Sequence, residues 1–180
     1  MAGREVATLG GGCFWCLEAV YGRLRGVFSV ESGYMGGTVP SPTYEQVCTD
    51  TTGHAEVVQL TFDPAVTSYS QIIEVFFATH DPTTLNRQGG DVGSQYRSVI
   101  FFHSPEQERI AREAIRQLAA CKAFRWPILT QVAPATEFYR AEQYHQGYFA
   151  QNSDQPYCTM VVRPKLEKFS KEFAGKLKPE

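Results

Sequence analysis

Val6-Ala-Thr-Leu-Gly-Gly-Gly-Cys-Phe-Trp-Cys16 is the stretch from which the rest of the chain is read. Residues 6–9 are short and apolar, and Gly10, Gly11 and Gly12 follow, which is a strand entering a tight turn. From Phe14 the period changes, and Phe14, Leu17, Tyr21 and Leu24 share one helical face. Cys13 therefore stands at a helix N-terminus, where free N–H groups and the positive end of the helix dipole stabilise an anion. A thiol so placed is expected to lose its proton more easily, and the thiolate is the reactive form. The bland alternative is a packed, inert thiol, since free cysteine is among the most buried residue types. The glycines, the helix start and the Cys-x-x-Cys spacing weigh against it.

Working outward, residues 27–32 read as a second strand, broken at 33–37. Thr43 and Gln46 have capping-box spacing, predicting a short helix through Val47. Residues 55–62 form the clearest strand, with period-two alternation. Glu56 is in phase with Val58, Leu60 and Phe62, so a carboxyl group is placed on the apolar side. Burial without a cation disfavours its ionised form and raises its pKa; the alternative is a strand-end carboxylate that reaches water. Ser70 is read as the cap of a helix carrying Ile72, Ile73, Phe76 and Phe77 and ending at Asp81-Pro82. The loop 83–95 holds Asn86, Arg87, Gln88, Asp91 and Gln95, a polar set able to converge on a ligand. Residues 96–102 read as a strand with Tyr96 facing the side of Ile100 and Phe102, its hydroxyl in need of a partner. Ser104-Pro105-Glu106-Gln107 is a helix start, with Ile110, Ala114 and Leu118 as its stripe. Residues 127–133 are read as an edge strand and 142–150 as helical. The tail from 151 is read as looser, with a short amphipathic helix through Leu166, Phe169 and Phe173.

The order strand, helix, strand, strand, helix, strand is the split β-α-β arrangement. The expected fold is α+β: a two-layer sandwich with a ferredoxin-like core, a mainly antiparallel sheet, extra helices and a coil-rich C-terminal tail. A chain of 180 residues, 43% apolar, fits a single domain over 1–180, its tail being about 151–180. A net charge of -2 implies no attraction to nucleic acid or to an anionic membrane. No apolar run reaches the length of a membrane span, and the first residues lack a basic segment followed by an apolar one, so a cytoplasmic monomer is expected. Five cysteines in such a chain are no disulfide framework, and a Cys-x-x-Cys in a reducing compartment is catalytic or metal-binding.

Three thiol chemistries compete. Zinc needs about four Cys or His ligands, whereas Cys13 and Cys16 supply one pair and neither a second Cys-x-x-Cys nor a His-x-x-x-His exists, so no metal or other cofactor is expected. A thioredoxin-like dithiol also places Cys-x-x-Cys after a strand at a helix start, but Phe14-Trp15 lies between the cysteines here and the element order begins differently. The third is a thiol peroxidase or sulfoxide reductase, in which the thiolate becomes a sulfenic acid and a second Cys forms a disulfide. Removing a sulfoxide oxygen requires protons, which a neutral carboxylic acid in an apolar pocket and tyrosine hydroxyls supply; Glu56 and Tyr96 suit those roles.

Gly12-Cys13-Phe14-Trp15-Cys16 resembles the signature of the A-class peptide methionine sulfoxide reductases. Pro42-Thr43-Tyr44, Thr52-Gly53-His54-Ala55-Glu56, His80-Asp81-Pro82-Thr83, Asn86-Arg87-Gln88-Gly89, Asp91 and Gly93-Ser94-Gln95-Tyr96-Arg97-Ser98 look like its following motifs. Ala141-Glu142, Tyr144-His145-Gln146 and Tyr157-Cys158 complete the series, so the likeness covers nearly the whole chain. The resemblance implies that Cys13 attacks the sulfoxide sulfur and that Glu56 protonates the oxygen with Tyr44 and Tyr96 as partners. It implies further that Phe14 and Trp15 line a methyl pocket and that Asp91 positions the substrate. It implies the S epimer of methionine sulfoxide, free or in proteins, as substrate and thioredoxin as reductant. Cys16 stands where many members have Gly, and a glycine-rich tail with a further Cys is lacking, so Cys16 and Cys158 are both candidate resolving cysteines, in either order. Cys48 and Cys121 match no role and read as structural thiols; His54 and His145 read as structural hydrogen-bonding residues.

Overall fold

The computed structural model describes residues 3–180. The chain runs β1 (Glu5–Gly10), α1 (Phe14–Gly22), β2 (Val27–Met35), α2 (Tyr44–Cys48), β3 (Ala55–Phe62), α3 (Tyr69–Thr79), β4 (Arg87–Gln88), β5 (Asp91–Val92), β6 (Val99–Phe102), α4 (Pro105–Ala120), β7 (Gln131–Pro134), β8 (Tyr139–Arg140), α5 (Tyr148–Gln151) and α6 (Arg163–Glu172). Six strands form one sheet in the order β7-β6-β1-β3-β2-β8, while β4 and β5 make a separate ribbon. All pairings are antiparallel except β6 with β7. The inner four strands, β6-β1-β3-β2, with α1 and α3 as crossovers, are the split β-α-β core expected from the sequence.

Alternation decides the layers. Ala7 and Leu9 of β1 and Val58, Leu60 and Phe62 of β3 point into the main core, with Leu17 and Tyr21 of α1, Ile72 and Phe76 of α3 and Ala111 of α4. The other face carries a smaller cluster of Met35, Ala55, Val57, Val99 and Phe101, covered by Ala133, Ala135 and Phe138. Among the described residues no helix is long and apolar enough to cross a membrane.

Several expectations change on physical grounds. β2 does not stop at Gly33 but continues to Met35, because β8 lies against that glycine: a Cβ there would stand 2.4 Å from the Phe138 ring and 2.6 Å from the Tyr139 carbonyl oxygen. The cap of α3 is Ser68, not Ser70; its hydroxyl accepts from the Gln71 N–H and Gln71 returns a bond to the Ser68 N–H. Tyr96 is not in a strand. It closes a 3-10 turn, Ser94–Tyr96, whose N–H donates to the Gly93 carbonyl, and β6 begins at Val99. The loop 83–95 contains the β4–β5 ribbon. Residues 142–150 are not one helix: a 3-10 turn, Gln143–His145, and α5 are separated by Gly147, which is left-handed at φ 63. The tail is not coil-rich. A π-helical turn, Cys158–Val162, leads into α6, and Leu166, Phe169 and Phe173 are buried against the core. Arg25 N–H to Lys176 O and Lys178 N–H to Arg23 O strap the last residues to the end of α1.

Candidate active site

The glycines after β1 let the backbone carry Cys13 into a crowded place. A Cβ on Gly10 would stand 2.9 Å from the Glu56 carbonyl oxygen, and one on Gly12 would stand 2.6 Å from the Gln88 side chain. Gln88 cannot yield, because its amide accepts from the Asp81 N–H (2.9 Å) and donates to the Asp81 carbonyl (2.8 Å). Gly12 also has φ +91, a region only glycine adopts freely. Its N–H donates to the Tyr96 carbonyl at 3.2 Å, which ties the loop to the 3-10 turn. Cys13 is the extended cap residue of α1, and the first turn closes with the Cys16 N–H donating to the Cys13 carbonyl.

Glu56 lies on the core face of β3, opposite Tyr34, and is 1% exposed. Its Oε1 accepts the Phe14 N–H at 3.2 Å, while Oε2 is buried with no partner. Burial pushes this carboxyl up to about 8; the Phe14 N–H opposes the shift and the Asp91 charge adds to it. Glu56 is therefore a neutral acid at pH 7, with a hydroxyl to offer. The strand-end alternative fails, because the side chain does not reach water.

The thiol behaves otherwise than its helix position led us to expect. Cys13 is 8% exposed, and burial, followed by Glu56 and Cys16, holds it well above its ordinary value. The Trp15 N–H and the Tyr157 hydroxyl favour the thiolate, as a helix start should, but they are outweighed. In this structure Cys13 is a protonated thiol beside a protonated acid.

Tyr44 and Tyr96 are both half-buried, and burial first, then the neighbouring Glu56 carboxylate, raises both hydroxyls, so each is a neutral donor. Phe14 is fully buried and Trp15 partly so. Asp91, on β5, accepts the Tyr157 hydroxyl at 2.6 Å. Tyr157 was not singled out from the sequence, yet its hydroxyl lies near the Cys13 and Cys16 thiols and favours both thiolates. Its place beside Cys158 in the last motif was the available signal.

Cys16 and Cys158 are 3% and 0% exposed and share a small cluster with Val162, walled by Trp15, Tyr148 and Tyr157. Burial raises Cys16 to about 11, with Cys158 contributing and Lys165 opposing. All five cysteines are free. Cys48 and Cys121 are exposed rather than packed, which does not fit structural thiols; Cys48 nevertheless sits beside the Tyr44 hydroxyl. His54 is a latch for the loop after β2: Nδ1 accepts the Gly37 N–H (3.0 Å) and Nε2 donates to the Val39 carbonyl (2.7 Å). Among the described residues no group of three or more His, Cys, Asp or Glu is placed to hold a metal ion.

Residues 5–177 match the family model described as peptide methionine sulfoxide reductase. The chain is 58% identical over 174 residues to the peptide methionine sulfoxide reductase MsrA of Saccharolobus solfataricus, covering 97% of each. Among solved structures it resembles reduced Mxr1 from Saccharomyces cerevisiae, with a TM-score of 0.78 and 34% identity over 86% of this chain and 89% of that one. Mxr1 solved in complex with Trx2 also matches, with a TM-score of 0.55 and 27% identity over 81% of this chain and 84% of that one.

Proposed function

This chain belongs to the peptide methionine sulfoxide reductase family and is an enzyme that reduces methionine sulfoxide to methionine, and we propose that it does so with Cys13 as nucleophile and Glu56 as proton donor. The observation that carries the assignment is the buried, protonated Glu56 with Oε2 uncommitted, set against the N-terminus of α1 where Cys13 stands.

The residues divide the work by their chemistry. The sulfoxide oxygen takes hydrogen bonds from the Glu56 carboxyl and from the Tyr44 and Tyr96 hydroxyls. Phe14 and Trp15 hold the methyl group on apolar rings, and Asp91, through Tyr157, orients the substrate. Polarisation of the S–O bond makes the sulfur electrophilic. The Cys13 sulfur then bonds to it as the thiol proton leaves, and the oxygen is protonated. The sum is Cys13–SH plus sulfoxide giving Cys13–SOH plus thioether. Tyr157, whose hydroxyl points to Asp91, turns its proton toward Cys13 as charge develops there.

Sulfenic acid and a second thiol then condense to a disulfide and water. The thiols influence one another in the chain Cys13, Cys16, Cys158, which supports Cys16 resolving first and Cys158 exchanging second. The yeast complex with Trx2 supports thioredoxin as the dithiol that closes the cycle. A pocket with a methyl wall on one side and an acid on the other supports selectivity for one epimer, and the family resemblance supports S as that epimer, free or in proteins. A single-domain, cytoplasmic monomer completes this reading. A general dithiol exchanger delivers no proton to a departing oxygen, so a neutral Glu56 with an uncommitted Oε2 favours the reductase.

The test is consumption of S- and R-epimer sulfoxide peptide with a dithiol. Only the S form should disappear, and Cys13→Ser should abolish the reaction. Turnover retained by Cys13→Ser sinks the assignment. Alkylation mapping after one turnover should find Cys13 paired with Cys16 or, once exchange has run, Cys16 paired with Cys158; a different pair refutes the relay.

A further inference from the structure

Arg97 follows Tyr96 at the exit of the 3-10 turn and is half-buried. Its guanidinium reaches three separate segments. Nη1 donates to the Ser94 carbonyl at 2.9 Å, inside the turn. Nη2 donates to the Gly53 carbonyl at 3.1 Å, on the approach to β3, the strand that carries Glu56. Nε donates to Oε1 of Gln131, on β7, at 3.2 Å. All three acceptors are neutral, so what the planar fork contributes is geometry. A lysine, a point charge on a flexible stem, cannot hold three acceptors at fixed angles. The end of β2 leaves room for the fork: a Cβ on Gly36 would stand 3.1 Å from Nη2, and Gly36 has φ +94.

Asp50 holds the turn at its other end, from a left-handed position at φ 62. Its Oδ1 accepts the Ser94 N–H at 3.0 Å and the Ser94 hydroxyl. Burial opposes the charge on Arg97, and the nearby Asp50 carboxylate favours it. Between these anchors stands Tyr96. Its N–H donates to the Gly93 carbonyl, and its carbonyl accepts the Gly12 N–H. The Tyr96 backbone is thus tied directly to the loop of Cys13 and, through Arg97, to the strand of Glu56. Two ties to different elements set where the phenol stands between nucleophile and acid.

We propose that Arg97 is a positioning residue for methionine sulfoxide reduction, its three-way fork holding the Tyr96 hydroxyl in register with the Glu56 carboxyl so that both meet the same oxygen. This rests on the assignment of Tyr96 and Glu56 as donors to that oxygen. The oxygen gains charge as the S–O bond breaks, so a donor to it matters more in the transition state than in the bound substrate. Misplacing the donor therefore lowers the rate at saturation more than it weakens binding.

The experiment is a double-mutant cycle between Arg97→Gln and Tyr96→Phe, read as single turnovers of an S-epimer sulfoxide peptide over a range of peptide concentrations. Each single change should lower the saturating rate about tenfold and leave the half-saturating concentration within about threefold. The double variant should be no more than about twofold slower than Tyr96→Phe, because without the hydroxyl Arg97 has nothing left to position. Arg97→Lys keeps the charge, loses the fork and should behave like Arg97→Gln. A merely structural Arg97 would lower the urea midpoint and act equally with and without the Tyr96 hydroxyl. Losses that multiply in the double variant, an Arg97→Gln rate within about twofold of the parent, or full activity in Arg97→Lys overturns the proposal. If Tyr96→Phe slows the reaction and Arg97→Gln does not, only the present inference fails; if Tyr96→Phe is without effect, the reading of Tyr96 falls and the inference with it. Should Arg97→Gln not fold, Gln131→Ala takes its place in the cycle, since it removes one acceptor from an exposed position. It should slow the saturating rate about two- to threefold with the Tyr96 hydroxyl present and not at all without it; any other pattern overturns the proposal.

Discussion

Glu56 has one backbone donor and no cation, and that arrangement keeps its proton up to about pH 8. The rate of sulfoxide reduction should therefore fall as pH rises through about 8. Glu56→Gln should lose that limb and about 10²- to 10⁴-fold in kcat, which a pH–rate profile checks. The same shift acts on stability. A folded-state value of about 8 against 4.5 means that the folded protein holds a proton the unfolded chain has released. The advantage of the folded state is complete below 4.5 and drains away up to about 8, at ~1.4 kcal/mol per pH unit. Glu56→Gln should consequently melt higher than the parent at pH 8 and no higher at pH 4. Gly12 is the second residue whose local physics is decisive. Gly12→Ala forces a side chain into φ +91 and against Gln88. It should lower stability by about 1–3 kcal/mol in urea and, by displacing Cys13, depress kcat more than KM.

Two elements with the same cap should respond differently. Ser68 and Thr43 each form a complete capping box, with Gln71 and Gln46 respectively. Replacing either by Ala should cost about 1 kcal/mol. Ser68→Ala, on α3 below the sheet, should shift only the urea midpoint. Thr43→Ala loosens the start of α2, whose first residue is Tyr44, and should also slow turnover. Parallel effects on activity from both changes would show that α2 does not position Tyr44. Local signals of this kind were legible in the sequence where bonding partners lie three residues apart. They misled where the deciding partner is distant. Tyr96 looked like strand by parity, but Gly93 turns the chain and the Tyr96 carbonyl is claimed by Gly12. The run 142–150 has helical spacing, yet its Gly147 N–H is taken by Glu18, 129 residues away. Glu56 was legible because period-two parity survives any tertiary context that buries one face.

On the scale of the molecule, two buried groups pull stability in opposite directions. His80 donates from Nδ1 to the Phe76 carbonyl and accepts the Ser98 hydroxyl, and burial lowers it from 6.5 to about 4. The unfolded chain therefore gains a proton at this position below 6.5 that the fold refuses, and stability falls with acid until about pH 4. Between about 4.5 and 6.5 this slope opposes that of Glu56, and the lowered His103 and His145 act with His80. Melting temperature should decline from about pH 6.5 to about pH 8, and Glu56→Gln should reduce that decline. The element order was enough to anticipate the four-stranded core, because split β-α-β connectivity leaves few ways to close a sheet. The outer strands were harder to read. β8 has two residues and exists only because Gly33 lets it approach. The stripe of Leu166, Phe169 and Phe173 announced that the tail docks, but no local pattern announced that Tyr157 is brought to Asp91.

The crowding around Cys13 has one more consequence. This enzyme's substrate is made by oxidants, and the same oxidants attack exposed thiolates. Held as a thiol in a nearly closed pocket, Cys13 is a poor target for a small peroxide arriving from bulk water. With Cys13 as the proposed nucleophile, a repair enzyme built this way would spare its own sulfur from the damage it corrects and spend that reactivity only once a sulfoxide had filled the site.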